Sequence, residues 1–175
     1  AGLTIELRTK SACVNLLQSL PPSDRLIFAF TLSPESIARE HEHRAPGLQE
    51  RLKAVKTSLA YGHPTRLCFD PMLFVPDWQA RYRQMAVSVT DALGKDGFGQ
   101  LRDLSVGSFR IARDYLKTLR KNAPDSPIVQ YPFEWMDSYA CYPSELRERM
   151  ETFLVHCLAP CMPSERIFRW EENMP

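Results

Sequence analysis

The chain has 175 residues, of which 44% are hydrophobic, and its 22 Lys and Arg residues against 21 Asp and Glu give a formal net charge of +1. Such a chain is long enough for one ordinary globular domain, and its balanced charge excludes a protein that coats nucleic acid through a general basic surface. No apolar run approaches the roughly 20 residues of a membrane span and no signal-peptide pattern is present, so we predict a cytoplasmic protein without membrane contact.

Strand-like and helix-like segments alternate along the first two thirds of the chain. The strand-like segments, apolar on both faces, lie at residues 3–7, 26–32, 66–69 and, more weakly, 101–106. Helical apolar stripes lie between them at residues 13–20, 48–59 and 78–93. Strands that are apolar on both faces are typical of a parallel sheet covered by helices on both sides. The order therefore predicts a parallel α/β sheet or barrel.

The last third of the chain has a different character. A basic helix is predicted at residues 111–121, and residues 122–143 are rich in Pro and aromatic residues, which predicts a packed loop or hairpin. A final amphipathic helix opens at Ser144. We therefore divide the chain into residues 1–121 and a C-terminal extension, residues 122–175. Five cysteines without secretory context indicate reduced thiols rather than disulfides.

Polar side chains follow each predicted strand. Lys10 follows the first strand, Thr31 and Ser33 the second, Asp70 the third and Arg110 the fourth. The carboxyl ends of parallel strands meet at one edge of the sheet, so we expect these residues to form one polar rim. The Lys10 ammonium suits a carboxylate or phosphate ligand, with a solvated loop lysine as the equal alternative.

Several of these residues also have a structural interpretation. Thr31 and Ser33 could donate hydroxyl hydrogen bonds to a ligand, but for Ser33 alone the N-cap of the next helix is favoured. For Asp70 an ion pair with Arg66 is favoured over a ligand contact. The basic side chains of the predicted helix indicate a solvated face first and a phosphate-binding patch second; they are Arg110, Arg113, Lys117, Arg120 and Lys121.

No metal site is predicted in the chain. The two histidines of His41-Glu42-His43 lie two residues apart without further ligands nearby, so this segment is interpreted as polar surface. His156 and Cys157 are neighbours on a helix and point about 100° apart, so they do not face one ion together.

Six segments along the predicted strands and helices carry a recognisable pattern: IELRTKS at 5–11, FAFTLS at 28–33, residues 42–51, GHP at 62–64, DPM at 70–72 and DW at 77–78. In order and spacing they resemble the second half of the radical S-adenosylmethionine (radical SAM) barrel of the spore photoproduct lyase family. The tail, with ELRERMETF at 145–153 and AP at 159–160, is similar to the closing helix of that family.

The resemblance implies the C-terminal half of a partial TIM-type barrel in which a four-iron four-sulfur cluster cleaves S-adenosylmethionine and the resulting radical acts on a thymine-dimer lesion in DNA. Lys10 matches the family's lysine near the methionine moiety, and Thr31 stands where the family has a serine, a change that keeps the hydroxyl. The backbone around Phe69 and Asp70 falls where the adenine is held. Asp70 replaces a small apolar residue, so its role does not transfer.

On the substrate side, the resemblance implies a hairpin before the final helix that approaches the lesion. We expect Tyr131, Trp135 and Tyr139, together with Arg110, to bind the substrate. The stretch from 130 to 143 contains Glu134 and Asp137 but no Lys or Arg, unlike the basic hairpin of the family. Two carboxylates repel a phosphate backbone, so we expect weak binding of duplex DNA.

The three-cysteine CxxxCxxC motif that binds the cluster does not occur in this sequence. The chain, which begins at Ala1 without an initiator Met, is therefore expected to be a C-terminal portion whose partner is the missing N-terminal half of the barrel. Alone it should be inactive and prone to self-association through an unpaired strand edge. Two alternatives stay open: a radical SAM enzyme acting on a substrate other than DNA, and a non-enzymatic α/β domain that binds a partner or nucleic acid.

Overall fold

The computed structural model describes residues 2–169, in which strands and helices alternate through the first part of the chain. The strands are β1 Ile5–Thr9, β2 Leu26–Thr31, β3 Thr65–Met72, β4 Asp103–Ser108, β5 Arg110–Ala112, β6 Glu134–Trp135, β7 Tyr139–Cys141 and β8 Ile167–Arg169. The helices are α1 Val14–Ser19, α2 Glu35–His41, α3 Leu48–Ala60, α4 Trp78–Gln100, α5 Arg113–Asn122 and α6 Ser144–Leu158. Ala1 and the last six residues of the predicted C-terminal extension lie outside the described residues.

Five strands form one sheet in the order β1-β2-β3-β4-β8, and every neighbouring pair is parallel. The four strands predicted from the sequence are therefore confirmed, as is the α/β class. The fifth strand, β8, was not predicted. It comes from the C-terminal extension and joins the edge of β4, where Arg166 donates to the carbonyl oxygens of Leu101 and, at 3.1 Å, Arg102. The division at residues 121 and 122 stays a prediction.

The two faces of the parallel sheet differ in character. One face carries large apolar side chains, Phe28 and Phe30 on β2 and Leu67 on β3 among them, which pack under α3, while α6 packs on β4. Alternate residues point to the other face, where β1 presents Glu6 and Arg8 and the neighbouring strands present further charged side chains. The prediction that the strands are apolar on both faces is wrong, because this second face carries charged side chains and lines a cavity.

The aromatic segment forms the predicted hairpin. Its strands β6 and β7 are antiparallel, and β5 adds to β7 to complete a second, three-stranded sheet. Because residues 110–112 pair with β7, the basic helix begins at Arg113 rather than at 111, and Arg110 is a strand residue. Tyr131 and Phe133 pack their rings against Tyr142, at centroid distances of 4.8 and 5.3 Å. Phe74 and Phe109 pack on the same cluster, at 6.3 Å from Tyr142 and 5.5 Å from Phe133, and so anchor the hairpin on the first part of the chain.

None of the five cysteines, all of which lie in the described part of the chain, forms a disulfide. Within residues 2–169, no helix combines the length and the apolar character of a membrane-spanning segment.

Candidate functional site at the carboxyl ends of the strands

A cavity of about 980 Å³ opens on the charged face of the parallel sheet, toward the carboxyl ends of its strands. Four predicted site residues line it, one from each of four successive strand ends: Lys10, Thr31, Asp70 and Arg110. The remaining wall is made by Arg8, Thr9, Arg66, Pro71, Ser105, Val106, Gly107, Ser108, Ile167, Phe168 and Arg169. Four of the five residues predicted to form a polar rim, all except Ser33, therefore lie together, because parallel strands bring their carboxyl ends to one edge.

Lys10 is held by a carboxylate that comes from the end of α2. Its Nζ lies 3.0 Å from Oε1 of Glu42, and Ser33 Oγ donates to the same oxygen at 2.6 Å. Ser33 thus lies behind the cavity wall, and the favoured interpretation of Ser33 as an N-cap is wrong, because its hydroxyl is used by Glu42 and α2 begins without a side-chain cap. The interpretation of residues 41–43 as polar surface also fails for Glu42, whose side chain is only 10% exposed.

Arg51 of α3 completes this arrangement from the protein interior. Its side chain is 1% exposed, and its Nη2 donates to Glu42 Oε2 at 2.5 Å. The other donors reach backbone carbonyls, with Nε on Pro46 at 2.8 Å and Nη1 on Thr31 at 3.1 Å. Burial raises the pKa of the Glu42 carboxyl, but the hydrogen bonds from Ser33, Arg51 and Lys10 outweigh it and hold that pKa below its ordinary value.

Asp70 is bound to residues other than the predicted one. Arg8 Nη1 donates to Asp70 Oδ1 at 2.7 Å, and Ser105 Oγ donates to Oδ2 at 3.1 Å. The peptide bond that follows, Asp70-Pro71, is cis. The predicted Asp70–Arg66 ion pair is wrong, because Arg66 lies in register with Asp103 and binds both oxygens of that carboxylate and Glu6 as well.

The charged side chains that β1, β3 and β4 present on this face thus form ion pairs with one another. The hydrogen bond to Asp103 is the main cause of a raised pKa for Arg66, so this guanidinium stays charged. Cys68, next to Ser105 across the β3–β4 pair, is fully buried, and burial raises the pKa of its thiol to about 11. The Cys68 thiol therefore stays protonated near neutral pH, and the structure offers no activated thiolate at this position.

Of the predicted substrate residues, only Arg110 lines this cavity. Tyr131 packs in the aromatic cluster, and Tyr139 lies in β7, in register with Ala112. Trp135 is 45% exposed and stacks with Arg113 and Arg120, whose guanidinium carbons lie 5.1 and 5.9 Å from its ring centroid. It borders a separate groove together with residues 112–114, Lys117, Asp137 and Ser138. Contact of these three aromatic residues with a substrate stays a prediction.

The basic helix is only partly a solvated face. Lys117 forms an exposed ion pair with Asp114 at 3.0 Å. Arg120, in contrast, is partly buried and donates to the carbonyl oxygens of Val129 and Tyr131 at 2.7 and 2.9 Å. For Arg120 the interpretation as a solvated charge is wrong, because its guanidinium ties the extension to α5.

Phe69 is 1% exposed and packs in the core, so only its backbone, not its side chain, is near the cavity residue Asp70. Glu42 and Arg51 were not predicted as members of the site, whereas Arg8, at the end of the first strand, follows the prediction of a polar rim. Arg51 carries a signal that could have found it, since it occupies the apolar stripe of α3, three residues after Leu48 and four before Val55. A charged residue on a buried helix stripe requires a buried partner.

The donor set fits S-adenosylmethionine better than it fits an iron–sulfur cluster. The cavity has the size usual for a cofactor pocket, and it offers an ammonium at Lys10 for a carboxylate and a hydroxyl at Thr31. Among residues 2–169, no group of three or more His, Cys, Asp or Glu side chains is placed to hold a metal ion. The described residues therefore do not provide the ligands of a cluster.

Comparison with known proteins agrees with this fold. No protein-family model matches the sequence. The spore photoproduct lyase of Clostridium acetobutylicum is 22% identical over 86 residues, which cover 49% of this chain and 26% of that protein. A substituted spore photoproduct lyase with bound AdoMet and dinucleoside spore photoproduct superimposes with a TM-score of 0.80 at 13% identity. The chain has the fold of half a spore photoproduct lyase.

The match to that structure covers 95% of this chain and 50% of the solved one. A spore photoproduct lyase complexed with dinucleoside spore photoproduct gives the same coverage, with a TM-score of 0.78 at 15% identity. The chain thus spans about half the length of the solved relatives. The resemblance to the spore photoproduct lyases and the α/β barrel-half architecture predicted from the motifs are both confirmed.

Proposed function

We propose that this chain forms one wall of the S-adenosylmethionine and substrate cavity of a radical SAM enzyme of the spore photoproduct lyase kind. One observation carries the proposal: Lys10, Thr31, Asp70 and Arg110 line a single cavity at the carboxyl edge of a sheet whose fold matches a lyase with bound AdoMet. In parallel α/β folds, this edge is where ligands bind.

In this proposal the Lys10 ammonium binds the carboxylate of S-adenosylmethionine and the Thr31 hydroxyl donates to the same end of the cofactor. The backbone beside Phe69 and Asp70 lies against the adenine, while Arg8 and Ser105 keep the Asp70 carboxylate at the wall. When bound, S-adenosylmethionine supplies the radical chemistry. The cluster and its ligands come from a separate segment, the other half of the barrel, which pairs beside β1.

The proposal is tested by calorimetric titration of the full-length protein with S-adenosylmethionine. Lys10→Met should weaken binding by roughly 10-fold to 150-fold, since a charge-assisted contact to a carboxylate contributes about 1.5–3 kcal/mol. The matched control is Lys117→Met, on an exposed lysine that pairs with Asp114 outside the cavity. Equal affinities of the Lys10 variant and the parent would remove Lys10 from the site.

A second candidate keeps the same cavity and replaces duplex DNA by another substrate. It is favoured by the hairpin, where Glu134 and Asp137 are exposed, and by Arg120, whose donors are used by backbone carbonyls. The carboxylates of Glu134 and Asp137 offset the positive charges of Arg113 and Lys117 near Trp135, so stacking of about 1–3 kcal/mol per base makes a weak binder at physiological salt. The expected result is weak duplex binding with a shallow dependence on salt concentration. If binding is instead tight and lesion-selective, and disappears in a Trp135→Ala, Tyr139→Ala variant, the second candidate is contradicted and DNA repair is favoured as the function.

A further inference from the structure

Glu42 is the centre of a charged network behind the cavity wall. Its Oε1 binds Lys10 and Ser33, and its Oε2 binds Arg51. Of the three side chains that bind Glu42, only that of Lys10 lines the cavity. The network therefore joins two helices and two strand-end loops, and it meets the ligand cavity at one ammonium group.

Burial along the network is graded. The side chain of Arg51 is 1% exposed, that of Glu42 10% and that of Lys10 40%. Two cations and one anion leave a net positive charge. Because Arg51 compensates Glu42 from inside, the excess charge resides at Lys10, the exposed end, where it remains available to an anion. If Glu42 were paired with Lys10 alone, its carboxylate would instead neutralise the charge of the Lys10 ammonium.

We propose that Glu42, compensated by Arg51, is a positioning residue that fixes the Lys10 ammonium for the carboxylate of S-adenosylmethionine; the assignment of that ligand rests on the proposed function. A free lysine samples many rotamers, and an ammonium that is already fixed does not lose this freedom when the ligand binds. An ammonium has three donors, so the bond to Glu42 leaves two for the ligand.

The same network fixes a second part of the cavity wall. Arg51 Nη1 donates to the backbone carbonyl of Thr31, whose side chain lines the cavity at the end of β2. One buried arginine therefore determines the position of both the Lys10 ammonium, through Glu42, and the Thr31 backbone. These are the two residues that the proposed function assigns to the methionine end of the cofactor.

The test compares two ligands on the full-length protein by calorimetry: S-adenosylmethionine, and 5′-methylthioadenosine, which keeps the adenosine and has no carboxylate. Glu42→Gln keeps the size of the side chain but replaces one acceptor oxygen by an N–H group that faces a cation. This variant should bind S-adenosylmethionine about threefold to tenfold more weakly than the parent and should bind 5′-methylthioadenosine with unchanged affinity. In a Lys10→Met background, Glu42→Gln should cause no further loss, because its effect acts through Lys10.

The matched control is Glu40→Gln on the same helix, since Glu40 binds Arg81 rather than Lys10. Equal losses for both ligands, or a Glu42 effect that persists without Lys10, would indicate a merely structural role and overturn the inference. Parent-like binding by Glu42→Gln alongside weak binding by Lys10→Met would overturn it while the proposed function stands. A parent protein that does not bind S-adenosylmethionine overturns both. If Glu42→Gln does not fold, Ser33→Ala removes one bond from the same carboxylate and should give a smaller loss with the same ligand selectivity.

Discussion

Replacement of Arg51 by Met is expected to destabilise the protein strongly. The change removes three donors at once: the carbonyls of Pro46 and Thr31 each lose one, and Glu42 loses its buried cation and keeps only the partly exposed Lys10. Removing one partner of a buried ion pair costs about 3–5 kcal/mol, mostly because the other charge stays buried. For a chain of this size, that loss corresponds to a decrease of roughly 6–20 °C in Tm.

Urea unfolding followed by tryptophan fluorescence measures this loss. Arg39→Met is the matched control, because Arg39 is 79% exposed and its ion pair with Glu35 is 3.7 Å long. The free energy of unfolding of this control should change by less than about 0.5 kcal/mol. The double variant Arg51→Met, Glu42→Gln should recover part of the loss, since it removes the buried charge. A loss below about 1 kcal/mol for Arg51→Met would refute the argument that Arg51 compensates Glu42.

Three further predictions concern separate parts of the molecule. The pKa of Glu42 in the folded protein lies below the ordinary 4.5. The stability that its carboxylate contributes is therefore complete above about pH 4.5 and is lost as the pH falls through the lower, folded-state pKa. Acid unfolding of Glu42→Gln should lack this pH-dependent component. Tyr142→Phe leaves the Phe74 N–H, now bonded to the Tyr142 oxygen at 3.0 Å, without an acceptor, and should cost about 1–3 kcal/mol in urea unfolding. The chain alone should self-associate through β1, where Ile5 is 53% exposed, and light scattering of a strictly monomeric species would contradict this.

The sequence was informative wherever one periodic pattern determined the outcome. Four strand-like segments between helical stripes were enough to predict the parallel sheet. The sheet in turn predicts that Lys10, Thr31, Asp70 and Arg110 lie together, since parallel strands end at one edge. That step requires only the order of the strands and not their register.

Contacts that depend on register could not be predicted. Arg66 lies opposite Asp103, whereas Asp70 lies farther along β3, where Arg8 reaches it from β1, and no local pattern distinguishes the two pairings. The burial of Glu42 follows from the placement of α3 behind it, which a short polar segment does not indicate. A three-residue strand such as β8 is too short to show a period.

The strand β8 also determines the order in which the cavity can be completed. Its partner β4 is followed by the second sheet and by two helices, α5 and α6, before residues 167–169 return to the parallel sheet, so this pairing closes a long loop. On the ribosome, the sheet has an open β4 edge until that late strand emerges, and Phe168 and Arg169 are the last of the described residues to join the cavity wall. The cavity therefore gains this part of its wall only after β8 has been synthesised, and a chain that ended before β8 would have a cavity open on that side.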